Sequence, residues 1–405
     1  MIDARAGERR TTRRGDLPPP PQQQQRSAGS AGAVLRAILD HGPIARSSVA
    51  RATRLSAASV TGLTASLLER GLIREAPEAA GPPGIGRPHV PLAIEPERVA
   101  VLGVHIAVPR TTVALLDLRG RIIAQRQDPH DGTDPESVLP ALAGRIAAMR
   151  REHGARRRIL GLGLATGGWV DSVHRTVVRH PALHWADVPV GDVLAEATGL
   201  PVLVDSNARG LLRAEQLFGG AAERARRSAV LLFVGNVVDV AFSTGGVVHQ
   251  GPRSAAGAVA HLPVEGCDER CSCGRTGCLQ AAVSERVLVR RALRDGLIER
   301  PDIHGVVEAV RAGSAGALAL LEERARLVGR AAALLHDLFD PEVLIVSEGG
   351  ANRLPHCLAT MRAEMGPDAA VTVRAASFPH HVLATAGGAV ALDAVYTAPL
   401  RAAAT

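Results

Sequence analysis

From Ala31 onward apolar residues recur at helical spacing, and the pattern predicts three successive short helices. In "AVLRAILDHG" the side chains of Val34, Leu35 and Ile38 share one face, and Gly42-Pro43 ends the run. "RSSVARATRLS" reads as a second helix. "SAASVTGLTASLLERGLI" offers Ser56 as N-cap, Val60, Leu63, Leu67 and Leu68 along one side, and Gly71 as a stop. The last two helices, joined by a tight turn, make a helix-turn-helix. "LIREAPEAAGPPGIGRPHVPLAI" then predicts a strand, a Gly/Pro-rich tip and a returning strand, which is a wing.

In such a module the third helix enters the major groove of duplex DNA with its N-terminal residues at the base edges. Ser56, Ala57, Ala58, Ser59 and Thr61 are the candidates, able to offer thymine-methyl contacts and hydroxyl hydrogen bonds. Arg46, Arg51 and Arg54 flank them as candidate phosphate contacts, Ser47 is a further candidate DNA-binding residue, and Arg87 in the wing tip is placed to reach the minor groove.

Beyond about Val99 the period changes. Strand-like runs ("VAVLGVHIAV", "TTVALLDL", "RILGLGLA", "PVLVDS", "EVLIVS", "AVTVRA") alternate with helical stretches at 135–152, 207–218, 316–338 and 381–397. "VLGVHIAVPRTTVALLDLRGRIIAQ" and "VLLFVGNVVDVAFSTGGVVHQ" look alike, each a run of three strands with glycine-containing turns. A duplicated β-meander, each copy opening an α/β lobe, fits a two-lobed, actin-like architecture with a cleft between the lobes. Residues 1–28, with "PPPPQQQQ" between arginine clusters, have too little apolar surface to fold and are expected to be disordered. The expected domains are thus a tail at 1–28, a winged helix-turn-helix at 29–95 and an α/β domain at 96–405.

Charge sharpens this division. Residues 1–90 hold 13 arginines against 7 acidic residues, so they carry +6 of the chain's +7. A basic front on a neutral body points to a polyanionic partner. Aromatic residues make up only 2%, which argues against stacking platforms for single strands and leaves duplex DNA. All 47 basic residues are arginine, which excludes Schiff-base and phosphate-loop lysine chemistry. No run of 18 apolar residues and no signal-peptide h-region is present, so no membrane span or export is expected. Five unevenly spaced cysteines make no disulfide framework, and a reducing cytoplasm is the expected compartment.

Three of those cysteines crowd into "CSCGRTGCLQ" at 271–280. With His261 ten residues upstream, Cys271, Cys273 and Cys278 form a possible His-Cys₃ set for zinc, with Cys267 as a competing ligand. Four protein ligands leave no open position, so such an ion is structural. A DNA-gripping finger needs a second, helical ligand pair, which is missing. Cys357 stands alone in a helical stretch and reads as a small buried hydrophobe.

The stretch "AGAVAHLPVEGCDERCSCGRTGCLQ" resembles the zinc signature of the ROK family (repressors, open reading frames and kinases), whose core is H-x₉-C-x-C-G-x-x-G-C-L. "IARSSVARATRLSAASVTGLTASLLERGLI" followed by "GRP" resembles the winged helix-turn-helix of its regulator branch. The resemblance runs from about residue 30 to 397. It implies an actin-like fold of two lobes, a zinc loop (261–278) beside a sugar cleft, and assembly as a homodimer or tetramer.

Both sugar kinases and transcription factors belong to this family, and departures from the kinase pattern separate them. The kinases carry an Asp-x-Gly-Gly-Thr phosphate loop where this chain has His105-Ile106-Ala107-Val108-Pro109, without the glycines that let backbone approach phosphate. Their second, Gly-Thr-Gly-rich loop reads "GNVVDVA" here, with Asp239 bringing a like charge. Their general-base aspartate corresponds to Asn207 in "VDSNARG", and losing a positioned base costs roughly 10²–10⁴-fold. No kinase activity is therefore expected. Two sugar-binding glutamates of the family correspond to Ala258 and Gln280, whereas His261, His184, Asp205, Ser206 and Asn207 still offer polar groups to a cleft ligand. Arg54 stands where the family usually has glycine before the recognition helix.

The resemblance thus implies a transcriptional regulator, with repression the expected mode. It would be cytoplasmic and nucleoid-associated, bind an inverted-repeat operator as a homodimer or tetramer, and answer to a sugar or related small metabolite. A sugar kinase with a fused DNA module, and a regulator that acts through a protein partner, are the alternatives.

Overall fold

In the computed structural model of the chain, residues 22–79, 90–370, 372–378 and 382–402 are described. Helix α1 (Gln22–His41) runs for 20 residues and is not short. It begins inside the stretch 1–28, so the expected disorder is corrected for residues 22–28; residues 1–21 lie outside the described residues. Helices α2 (Arg46–Thr53) and α3 (Ala57–Glu69) are joined by Arg54, which adopts the left-handed conformation (φ 56°, ψ 28°). For a non-glycine residue that costs about 1–2 kcal/mol. Ser56 caps α3 by accepting from the Ser59 backbone N–H. Gly71 (φ +67°) turns the chain out of α3 into β1 (Ile73–Glu75), which pairs antiparallel with β2 (Leu92–Ile94). The wing tip, 80–89 with Arg87, lies outside the described residues.

Lobe one contains β3 (Val99–Ile106), β4 (Arg110–Leu116), β5 (Ile122–Pro129), α4 (Pro135–His153) and β6 (Arg158–Thr166). A small sheet follows, formed by β7 (Trp169–Asp171), β8 (Thr176–His180) and β9 (Trp185–Val188). Then come α5 (Val190–Thr198), β10 (Val202–Ser206) and α6 (Asn207–Phe218). Helix α7 (Ala222–Arg227) leads to lobe two, with β11 (Ser228–Val234), β12 (Val238–Thr244), β13 (Val247–Val248), α8 (Leu279–Val283), α9 (Glu285–Arg294) and α10 (Ile303–Arg311). The lobe is completed by α11 (Ala315–Phe339), β14 (Val343–Glu348), α12 (Pro355–Ala363), α13 (Gly366–Ala370) and β15 (Val373–Ala375). Helices α14 (Val382–Thr397) and α15 (Pro399–Ala402) return to lobe one.

The two large sheets repeat one topology. Lobe one has the order β10-β6-β3-β4-β5 and lobe two β13-β12-β11-β14-β15, each an antiparallel meander extended by two parallel strands from its first strand. This is the duplication visible in the sequence, and it makes the two-lobed, actin-like α/β fold. Strand β3 is buried at every position because α14 closes its second face. The contact is glycine on glycine: a Cβ on Gly103 would lie 2.6 Å from the Gly388 nitrogen.

The DNA module is not a bead on a linker. Val34, Leu35, Ile38, Val60 and Leu67 of the module share one hydrophobic cluster with Val101, Leu116, Leu392, Val395 and Tyr396 of lobe one. Leu63 and Leu68 pack against it from partly buried positions. A Cβ on Gly32 of α1 would meet the Tyr396 carbonyl at 2.6 Å. At the edge of the contact the Arg36 guanidinium lies 5.1 Å from the Tyr396 ring centroid, and Arg226 of α7 pairs with Asp40 at 3.0 Å.

Candidate functional site

At the N-terminal end of α3, Ser56, Ala57, Ala58, Ser59 and Thr61 are all exposed. All three hydroxyls have local partners: Ser56 Oγ lies 2.8 Å from Ser59 Oγ, and Thr61 Oγ1 donates to the Ala57 carbonyl at 2.8 Å. The surface is therefore short-chained and pre-ordered, with Ser47 and Arg54 exposed beside it. Arg46, read from sequence as a phosphate contact, donates to Glu75 at 2.9 Å and to the Val90 carbonyl at 3.4 Å, bracing the base of the wing.

In the cysteine loop, the ligand atoms of His261, Cys271, Cys273 and Cys278 lie within 4.8 Å of one another. Cys273 Sγ is 3.7 Å from Cys278 Sγ, and Cys271 Sγ is 3.6 Å from His261 Nδ1. Zinc–sulfur bonds of about 2.3 Å in a tetrahedron put sulfurs about 3.8 Å apart, so the donor set fits zinc with all four positions filled. Cys267 is outside this group. The loop is folded tightly by Gly274 and Gly277, both at positive φ, and by the Pro263–Cys278 and Arg270–Thr276 bridges. The backbone N–H and guanidinium of Arg275 hold the Cys273 thiol down to about 6, favouring the thiolate that metals bind.

The cleft side chains come together at the C-terminal end of β10 and the start of α6, but most are already engaged. The buried Asp205 carboxylate accepts from Arg209 Nε, from Arg213 Nη1 at 2.6 Å and from the Ser206 N–H at 2.8 Å. Ser206 caps α6. Asn207 Oδ1 lies 3.1 Å from His105 Nε2. Gln280 bridges the β11–β12 turn, donating to the Asn236 carbonyl and accepting from the Val238 N–H, each at 2.7 Å. His184 alone among the effector candidates of lobe one is exposed, in a left-handed turn (φ 59°) before β9.

Three residues that were not in the sequence-derived effector set also line this floor. Burial pushes His105 down to about 3 and His180 to about 4, and it raises Asp239 to about 6. His105 Nδ1 and Asp239 Oδ2 are buried without a hydrogen-bond partner. Arg209, also missed, ties the lobes together. Its guanidinium reaches the Val170 carbonyl at 2.9 Å and, in lobe two, the Ser254 carbonyl at 3.0 Å. Its spacing from Asp205, i to i+4 across a strand-to-helix junction, was the available signal. Trp169 Nε1 donates to the Arg253 carbonyl at 2.8 Å beside it. Among the described residues no helix is long and apolar enough to cross a membrane.

Comparison with known proteins agrees with this architecture. The ROK family profile matches residues 101–391. A transcriptional regulator of Mycobacterium tuberculosis is 34% identical over 389 residues, 92% of this chain and 87% of that protein. The DNA-binding transcriptional dual regulator NagC of Escherichia coli is 27% identical, covering 78% of this chain and 80% of its own. A putative xylose repressor of Caldicellulosiruptor is also 27% identical, over 77% and 81%. Among solved structures, a ROK family transcriptional regulator homologous to the E. coli Mlc protein superimposes with a TM-score of 0.76. It is 24% identical and covers 93% of this chain and 98% of its own. A ROK glucokinase of Streptomyces griseus, solved with glucose and AMPPNP, gives 0.62 at 24% identity over 71% of this chain and 98% of its own.

Proposed function

The chain belongs to the ROK family as one of its transcriptional regulators, and on that premise we propose that it is a DNA-binding repressor relieved by a sugar or related small metabolite, without kinase activity. The carrying observation is the exposed N-terminal face of α3 on a module whose core continues into lobe one. Ser47, Arg54, Ser56, Ala57, Ala58, Ser59 and Thr61 would meet DNA, Arg46 would hold the wing at its base, and Arg87 would follow the minor groove. A homodimer or tetramer would present two such helices about 34–36 Å apart to an inverted repeat. The expected setting is the cytoplasm, on the nucleoid.

The contacts support a coupling between ligand and DNA. A ligand between the lobes, meeting His184, Asn207 and the groups beside His261, would compete with the Arg209 links from lobe to lobe. Helix α7 joins the lobes and is paired to α1 through Arg226 and Asp40, so a lobe rotation reaches the DNA module directly. Only a ligand that binds the two lobe arrangements unequally can work this way. Zinc held by His261, Cys271, Cys273 and Cys278 would supply a structural crosslink in lobe two and no chemistry.

The absent kinase function is supported by Asn207 at the base position, hydrogen-bonded to a neutral His105. The engagement of Asp205 and Gln280 by protein partners favours a second reading, a regulator with a closed cleft that answers to a protein. A thermal-shift screen of neutral, amino and acylated sugars separates the two. On the first reading one ligand class raises Tm and weakens operator binding. If every ligand that raises Tm leaves DNA affinity unchanged, the coupling is wrong; if none raises Tm, the protein-partner reading stands.

A further inference from the structure

Residues 150–158, from the end of α4 to the start of β6, hold five arginines against one acidic residue. A net +4 in nine positions is a local excess, since the whole of 91–405 carries only +1, with 34 arginines against 33 acidic residues. The one carboxylate in the stretch, Glu152, is already taken by Arg126 at 2.7 Å. Arg150 donates to the Thr198 carbonyl at 2.6 Å, and Arg158 is engaged with the Arg70 carbonyl at 2.9 Å and elsewhere, so neither is free. The side chains of Arg151, Arg156 and Arg157 have no hydrogen-bond or ion-pair partner among the described residues. Arg151 and Arg156 are exposed and Arg157 is half-buried. An arginine in the last turn of α4 suits the negative end of that helix, which explains Arg151 in part. Arg156 and Arg157 stand beyond the helix and gain nothing from it.

Three unpaired guanidiniums on one short turn repel each other and favour a polyanion, and their forked donors suit phosphate oxygens. The cluster begins where the recognition helix stops, because Arg70, whose carbonyl takes Arg158, is the C-cap of α3. The 13 residues of α3, at about 1.5 Å each, put its base-reading end about 20 Å away. That is about six base pairs at ~3.4 Å each. Module and lobe share one core, so the cluster keeps a fixed position relative to α3. A duplex seated on α3 would therefore meet it at the same place each time.

We propose that Arg151, Arg156 and Arg157 form a second DNA surface on lobe one, which holds phosphates of the duplex flanking the half-site read by α3. The surface reads no sequence and adds affinity through charge alone. It goes beyond the operator reading but rests on it, since the duplex must first lie on the DNA module.

The test is the salt dependence of binding to a mixed-sequence duplex of about three helical turns (~32 bp), read by fluorescence anisotropy with the full-length protein. Each neutralised phosphate adds about 0.9 to the slope of log affinity against log salt. The triple variant Arg151→Ala, Arg156→Ala, Arg157→Ala should melt as the parent does, bind about tenfold or more weakly at low salt, and show a slope shallower by about 2–3. The corresponding triple lysine variant should keep most of the slope, because an ammonium still neutralises a phosphate. A triple alanine variant with the parent's slope overturns the proposal and leaves the cluster to an acidic protein surface. Equal losses in the alanine and lysine variants overturn it too, since packing and not charge would then be at fault. A parent that binds no duplex at any salt sinks this surface together with the operator reading, whereas an unchanged slope in a parent that does bind sinks this surface alone.

Discussion

His105 Nε2 lies 3.1 Å from the amide oxygen of Asn207, and both side chains are buried at the floor of the cleft. Burial holds the His105 imidazolium at about 3, so the ring is neutral at pH 7 and donates from Nε2 to the amide. On the reading that Asn207 stands at the base position of a kinase, two neutral groups would sit where a proton acceptor is needed. Neither the parent nor Asn207→Asp is expected to transfer phosphate from ATP to any hexose, because the phosphate-binding glycines are absent as well. A coupled ADP-release assay checks this, and hexose-dependent turnover by the parent would refute it.

The same floor sets a pH dependence with two opposed parts. His105 and His180 are held below an ordinary histidine by burial, at about 3 and about 4. As pH falls below about 6.5 the unfolded chain takes up protons that the folded chain refuses, so these residues lower stability toward acid. Asp239 runs the other way. Burial raises it to about 6, against the nearby Arg209, so its folded carboxyl keeps a proton that the unfolded chain releases from about pH 4 upward. Its cost grows as pH rises and is fully present above about 6. Asp239→Asn is expected to raise Tm by a few degrees at pH 7.5, with the gain shrinking steadily toward pH 4. Calorimetric melts across that range decide it; a gain independent of pH would show that the carboxyl is not the cause.

The zinc loop yields a prediction about stability and composition. The purified protein should contain one zinc per chain, and Cys273→Ser should lose it, since three remaining ligands bind far more weakly than four. Metal removal should lower the melting temperature by several degrees while Cys267→Ser retains both zinc and stability, because Cys267 lies outside the donor group. Elemental analysis alongside thermal melts gives both readouts. An unchanged Tm after complete zinc removal would contradict the structural role.

The shared core predicts that the DNA module does not melt on its own. Gly32 packs against the carbonyls of Tyr396 and Thr397, so Gly32→Val must push α1 off α14. A cost of about 1–3 kcal/mol is expected for such overpacking. It should appear as a lower Tm of one transition that includes lobe one. A separate low-temperature transition in the parent, assigned to residues 29–79 by hydrogen exchange, would count against the continuous core.

Much of this was legible in the chain because periodicity reports burial. The predicted helices at 207–218 and 316–338 match α6 and α11 to within a residue. The like-sounding strand runs correspond to the two meanders. What escaped depends on contacts between distant segments. Strands β7 to β9 lack clean alternation, since their burial comes from packing on the lobe. Buried Thr64 and Arg209 interrupt apolar patterns and read as surface residues. The link from Arg46 to Glu75 was not legible because the two stand 29 positions apart. The union of module and lobe was invisible for the same reason: the faces of α1 and α14 are each apolar, and nothing local says that they cover each other.

The central claim is operator recognition through α3, and the most direct measurement is a sequenced pull-down of fragmented genomic DNA by the full-length protein. The control is the double variant Ser59→Glu, Thr61→Glu, which sets two carboxylates against the DNA and leaves the shared core untouched, as deletion of the module would not. Enrichment of a common inverted repeat by the parent, absent from the variant, is the predicted result. Equal recovery of the same fragments by both proteins would contradict the account.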